Sequence, residues 1–182
     1  MIGPRKNRVT FQEVYATREF YRRFVSSLSE SIERITICSP YFHLLPKPFD
    51  NIIKFCGFLQ RRGIGEIVII TRPPGVDSAA MSLDTARRLD ADGISFFIRA
   101  NPYLHAKMYH IEYSKGHFRS FVGSANFTIG GLERNHEVMA ELEGVGPASP
   151  CERELARMTG NGALTFPAWV HRHKPAGAGE TI

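Results

Sequence analysis

The sequence predicts an α/β protein built as a mixed β-sheet flanked by helices on both faces. Two patterns predict it. Helix-like and strand-like segments alternate three times through the first half of the chain, and a run of strand-like segments follows. Composition agrees: 43% hydrophobic and 23% charged residues over 182 positions is ordinary for a globular chain with one sizeable core. A single domain is expected over 1–170. The Gly/Ala/Pro-rich stretch 171–182, HRHKPAGAGETI, is expected to be a flexible tail.

The elements follow in order. Residues 1–10 are polar and read as a loose arm or a leading strand. Over 18–34, Phe20, Phe24, Leu28 and Ile32 fall four apart, the apolar stripe of one helix. ITICSPYF (35–42) is β-branched until Pro40 stops it, a buried strand entering a loop. FDNIIKFCGFLQRRG (49–63) is an amphipathic helix ended by Gly63. EIVIIT (66–71) is a buried strand, and RPPG after it a loop. DSAAMSLDTARRLDADG (77–93) is a third helix, capped by Asp77 or Ser78. ISFFIR (94–99) is a third strand. LHAKMYHIEY (104–113) and FRSFVGSA (118–125) are two more, joined through Lys115-Gly116, and HEVMAEL (136–142) is another. SPCERELARMTG (149–160) is a short helix with a capping box from Ser149 to Glu152.

The chemistry concentrates between Tyr103 and Glu137. Side chains alternate along a strand, so His105, Lys107 and Tyr109 are expected on one face, with His110 on the other. The same alternation pairs Ser124 with Asn126 if the chain stays extended past Gly123. Two adjacent strands then present an imidazole, an ammonium, a hydroxyl and a carboxamide at one place. Gly123 is expected to let an anion approach the backbone. Such a set of groups suits a phosphate.

His105-x-Lys107 followed by Gly123-Ser124-x-Asn126 resembles the signature of the phospholipase D superfamily, H-x-K-x4-D-x6-G-S-x-N. The run Asn126-Phe127-Thr128 through Gly131, Asn135 and Glu137 resembles the extension found in that superfamily's nuclease branch, here with a single copy of the motif. SPYF at 39–42 is similar to the family as well. Two departures stand out: Glu112 fills the Asp slot, and ten residues rather than six separate it from Gly123, as a longer hairpin turn would require.

The resemblance implies a sandwich fold of the phospholipase D and nuclease type, and a metal-independent phosphodiesterase needing no cofactor. His105 would attack phosphorus to form a phosphohistidine. Lys107, Ser124 and Asn126 would hold the non-bridging oxygens, and Glu137 would fix the tautomer of His105. A second, protonated histidine would serve the leaving oxygen and then activate water. With one H-x-K per chain, the simplest source is a homodimer whose two-fold axis runs through the site.

Composition bears on the substrate. Net charge is +5, with basic clusters at Arg5, Lys6 and Arg8, at Arg18, Arg22 and Arg23, at Arg61-Arg62 and at Arg87-Arg88, which favours an anionic partner. Together with the resemblance of the Asn126–Glu137 extension to the nuclease branch and the single short motif copy, this leads to the expectation of a nuclease acting on DNA ahead of RNA. The alternatives are a lipid phosphodiesterase or phosphatidyl transferase and a non-catalytic nucleic-acid-binding module. No sequence-reading motif is visible, so specificity is expected to be absent or lent by a partner protein. The three cysteines are scattered without a CxxC pair, which suits a reducing cytoplasm rather than zinc or a disulfide framework. No run of about 18 apolar residues occurs, so no membrane span is expected, and the basic start lacks the apolar stretch of a signal peptide.

The remaining histidines are expected elsewhere: His43 in a loop or in packing, His110 on a sheet face, His117 in a turn, and His171 and His173 in the tail. Arg72, at a strand end, is expected on the surface.

Overall fold

A computed structural model describes residues 8–146, 150–160 and 162–173. Eight strands form one mixed sheet: β1 Arg8–Ala16, β2 Ile32–Cys38, β3 Glu66–Thr71, β4 Ser95–Arg99, β5 Met108–Tyr113, β6 His117–Gly123, β7 Val138–Val145 and β8 Ala163–Thr165. Their spatial order is β1-β7-β6-β5-β2-β3-β4-β8. β2, β3 and β4 run parallel, and every other neighbouring pair is antiparallel.

Helices cover both faces unequally. α1 Thr17–Ser27, α2 Ile52–Arg61, α3 Leu83–Ala91 and α5 Phe166–Arg172 bury Phe20, Phe24, Phe55, Leu59, Leu89 and Phe166 in one cluster with Ile35, Ile69, Tyr109 and Phe121. α4 Pro150–Thr159 sits on the other face, packing Cys151 and Leu155 against Val68 and Ile70. Glu141 fastens α1 to the sheet. Fully buried, it lies 2.7 Å from Arg23 Nη2 and 2.8 Å from Arg119 Nε. Burial alone would push its carboxyl up, but the bonds from Arg23 and Tyr15 and the field of both arginines outweigh that and hold it below its ordinary value.

Several boundaries differ from the sequence expectation. The stripe over 18–34 is not one helix: α1 ends at Ser27, and Ile32 opens β2. Ser26 and Ser27 turn their hydroxyls onto the Arg23 carbonyl at 2.8 Å, the local competition that makes serine a poor helix interior. The third helix begins later and is capped by Ser82, whose Oγ accepts from Thr85 N–H at 3.2 Å. Asp77 instead caps the preceding turn, accepting from Ala79 and Ala80 N–H at 2.9 and 2.8 Å. β8 and α5 were not anticipated, and α5 carries His171 and Arg172 as its last turn. Ser149 lies outside the described residues.

Candidate active site

The strand directions bring six chain segments to one end of the sheet, where β2, β3, β6 and β1 finish and β5 and β7 begin. That rim, beyond the carboxyl ends of the parallel strands, is the usual place for chemistry in an α/β sheet.

His105 and Lys107 do not sit on a strand. The ladder to β2 ends at the pair Cys38 and Met108, so residues 104–107 run free of it, and alternation does not govern them. The loop still joins the two groups. Lys107 Nζ donates to the His105 carbonyl at 2.8 Å and lies 3.2 Å from Nδ1 and 3.3 Å from Nε2 of the same residue. The imidazole is exposed while Lys107 is only 7% exposed. Burial draws the ammonium below its ordinary value, against the opposing pull of the Glu137 carboxylate.

Register sets Met108 opposite Val122, so Gly123 follows directly beside Lys107, and its N–H donates to the Lys107 carbonyl at 3.3 Å. Gly123 is required for packing. A Cβ there would stand 2.0 Å from the Val138 carbonyl oxygen and 2.9 Å from Met139 Cα. This close contact is what seats Ser124: its N–H donates to the Val138 carbonyl at 3.0 Å, and its Oγ accepts from Val138 N–H at 3.1 Å.

Ser124 Oγ also donates to the Glu137 carboxylate, and Asn135 Nδ2 donates to the other Glu137 oxygen at 3.3 Å. Thr17, just past β1, accepts from Glu137 N–H at 2.9 Å and donates to the Asn135 carbonyl. Glu137 thus takes its hydrogen bonds from Ser124 and Asn135, with none to His105. The Glu137 carboxylate is near enough to act on the Lys107 ammonium.

The loop from Ser124 to Thr128 is pinned at each step. Tyr109, fully buried beneath it, donates its hydroxyl to the Ala125 carbonyl at 2.6 Å. Phe127 N–H donates to Ser39 Oγ at 3.0 Å, and its ring packs with Phe24, Phe42, Phe55 and Tyr109. Gly131 backs onto Asn126, where a Cβ would stand 2.3 Å from the Asn126 carbonyl oxygen. Asn126 is held rigidly, yet its Oδ1 is buried without a hydrogen-bond partner. Such an unspent group is what a substrate site retains.

All five residues read from the sequence therefore lie on this rim. His105 pairs with Lys107, Ser124 with Glu137, and Asn126 stands in the same loop as Ser124. Thr17 and the Tyr109 brace were invisible to spacing alone. Arg72 is not at the surface but 5% exposed, its guanidinium carbon 4.5 Å from the Tyr41 ring centre and 4.0 Å from that of Tyr103. His110 is buried on the opposite face beside Ser120. Glu112, on that same face, contacts Arg34 at 3.8 Å, away from the rim. Among the described residues no cluster of three or more His, Cys, Asp or Glu could hold a metal ion, and no helix is long and apolar enough to cross a membrane.

A family model described as cardiolipin synthase, PLD-like domain, matches residues 24–159. No curated protein matches the sequence significantly. Among solved structures, the chain is similar to Nuc from Salmonella typhimurium, a phospholipase D family member. The TM-score is 0.60 at 21% identity, covering 87% of this chain and 99% of that one. It is similar to NucT from Helicobacter pylori with a TM-score of 0.57 at 16% identity, covering 87% and 100%. A phosphatidylserine synthase from Haemophilus influenzae gives 0.53 at 10% identity, covering 93% of this chain and 42% of that one. At these identities the likeness is one of fold.

Proposed function

The chain belongs to the PLD-like family of the phospholipase D superfamily and has the fold of its phosphodiesterases, and from that premise we propose that it is a metal-independent nuclease. It cleaves DNA in preference to RNA through a phosphohistidine. One observation carries the reading: His105, Lys107, Ser124, Asn126 and Glu137 converge on one rim of the sheet, in loops fixed by buried contacts.

In the first step the neutral His105 imidazole attacks phosphorus, and the strand's bridging oxygen departs with a proton from a second imidazole. Charge gathers on the non-bridging oxygens, where the Lys107 ammonium and the Asn126 amide N–H are the donors; the Ser124 hydroxyl, which gives its proton to Glu137 at rest, turns from the carboxylate to join them. Water then attacks the phosphohistidine, giving up a proton to that second imidazole and freeing His105. The Glu137 carboxylate, bonded to Ser124 and Asn135, sets the hydroxyl's direction and lies near the ammonium.

The second imidazole comes from another copy of the chain. Support comes from an apolar sheet face that α4 leaves open. Val9, Phe11 and Val14 of β1 lie opposite Gly144, Leu142 and Ala140 of β7, and Val138 continues the patch to the residue next to Glu137. Phe11 is 57% and Val138 58% exposed, an unusual array for a surface that stays wet. A second reading has its own observation, since His43 lines a cleft together with Asn126. Sedimentation at assay concentration and the His43→Gln variant separate the two: a dimer that keeps its activity without His43 supports the shared site.

The reading includes a cytoplasmic location, because Cys38, Cys56 and Cys151 are all buried free thiols, a state that a reducing compartment keeps. The deciding experiment sets labelled single- and double-stranded DNA, RNA and phosphatidylcholine vesicles side by side in excess EDTA. Strand scission that vanishes in His105→Ala is expected. Headgroup release without scission would move the enzyme to lipid, and undiminished scission by the variant would overturn the mechanism.

A further inference from the structure

Beside Asn126 the surface opens into a cleft of about 360 Å³ lined by Tyr41, His43, Ser78, Ala79, Asn126 and Thr128. We propose that this cleft seats the nucleotide flanking the scissile phosphate, with its base on the Tyr41 ring, and that Arg72 is the positioning residue that fixes the cleft's two walls. The inference rests on the nuclease reading of the site.

The place follows from Asn126. A phosphate held there has its own nucleoside one sugar away, and the cleft is the adjoining space. Its lining is mixed: a phenol ring, an imidazole, the hydroxyls of Ser78 and Thr128, and a methyl group. That set suits a base and a sugar, where an acyl chain would need continuous apolar walls. Aromatic rings are the common platform for unpaired bases, because every base has a π-face to offer.

The walls come from segments far apart in the chain, and Arg72 ties them together. Its guanidinium carbon lies over two rings, 4.5 Å from the Tyr41 centre and 4.0 Å from that of Tyr103. Its Nη2 pairs with Asp77 at 3.3 Å, and Asp77 accepts from Ala79 and Ala80 N–H, closing the turn that carries Ser78 and Ala79. One buried cation therefore touches the stacking wall directly and the opposite wall through Asp77. Its Nε and Nη1 are buried without hydrogen-bond partners. A side chain kept only for stability would be a poor choice here, since a buried cation with unspent donors is costly. A planar cation lying over two rings does hold an aromatic platform rigid.

The test uses two labelled hexamers with the same phosphates, one of thymidylate and one wholly abasic. Their binding is measured by fluorescence anisotropy in the His105→Ala background, where no turnover is needed. The thymidylate strand is expected to bind about ten-fold more tightly, in line with the stacking of one base. Adding Tyr41→Ala should abolish that preference, and Tyr41→Phe should restore it. Arg72→Gln, checked for folding by thermal melting, should shrink the preference while leaving abasic binding within about two-fold. With His105 restored, Tyr41→Ala and Arg72→Gln should each raise KM for the thymidylate strand, with kcat little changed. A base preference that survives Tyr41→Ala overturns the subsite, and one that survives Arg72→Gln overturns the bracing. The binding outcomes are independent of cleavage, so they stand apart from the EDTA assay that decides the nuclease reading.

Discussion

Lys107 Nζ stands within 3.3 Å of both ring nitrogens of His105 while donating to that residue's own carbonyl. The ammonium is nearly buried there, and burial works against its charge. Such a group costs stability, and under the proposed mechanism it is retained for chemistry. Lys107→Met should therefore lower kcat by about a hundred-fold or more, the scale of losing a main donor to the transition state. The same variant should melt at or above the wild-type temperature. Calorimetry and strand-cleavage kinetics on one preparation check both halves, and a variant that loses stability along with activity contradicts the account.

Tyr109 holds the Ser124–Asn126 loop from below through its bond to the Ala125 carbonyl. Tyr109→Phe keeps the ring packing with Phe20 and Phe127 but leaves that carbonyl unpaired. A loss of about 1–3 kcal/mol in denaturant titrations is expected. A fall of about ten-fold in kcat should accompany it as Ser124 and Asn126 lose their exact seating.

Gly123→Ala would drive a methyl group into the Val138 carbonyl and the Met139 Cα, backbone atoms that cannot swing aside as the Met139 sulfur could. Destabilisation of at least about 3 kcal/mol should appear in urea titration. Gly116→Ala, where a Cβ meets nothing but the backbone is left-handed, should cost less, about 1 kcal/mol.

His110 gives the fold an acid limit. Burial first, and the Arg34 charge second, bring it down from 6.5 to about 4. The folded state keeps it neutral where the unfolded chain would protonate it. Its contribution is thus complete above pH 6.5 and is lost as pH falls toward 4, by about 3 kcal/mol across the window. Glu112 faces it, and burial raises that carboxyl, which offsets part of the loss at the acid end. His110→Gln should flatten the fall in urea midpoint between pH 6.5 and 5, and an unchanged slope would remove His110 as its source.

Legibility in the sequence followed how local each signal was. β3 matched EIVIIT because a buried parallel strand announces itself as an apolar run between turn residues. The join of α1 to β2 misled, since Leu28 and Ile32 are both buried and keep a helical spacing that Ser29–Ser31 interrupts. β8 is three residues long and exists only through its pairing with β4. At the site, the spacing of His105, Lys107, Ser124 and Asn126 marked the groups, but strand alternation gave the wrong cause for their meeting. Arg72 was misread because Tyr41 and Tyr103 approach it from distant segments, and no local pattern records that.

The hairpin tip at Ser114–Gly116 sits at the far end of the β5–β6 ladder from His105, fully exposed, with Lys115 at a φ of 69°. Chain can be spliced in there without disturbing a single group on the reactive rim. The scaffold thus has a natural attachment point, and under the nuclease reading a DNA-reading module grafted there would add an address while leaving the cutting groups as they are.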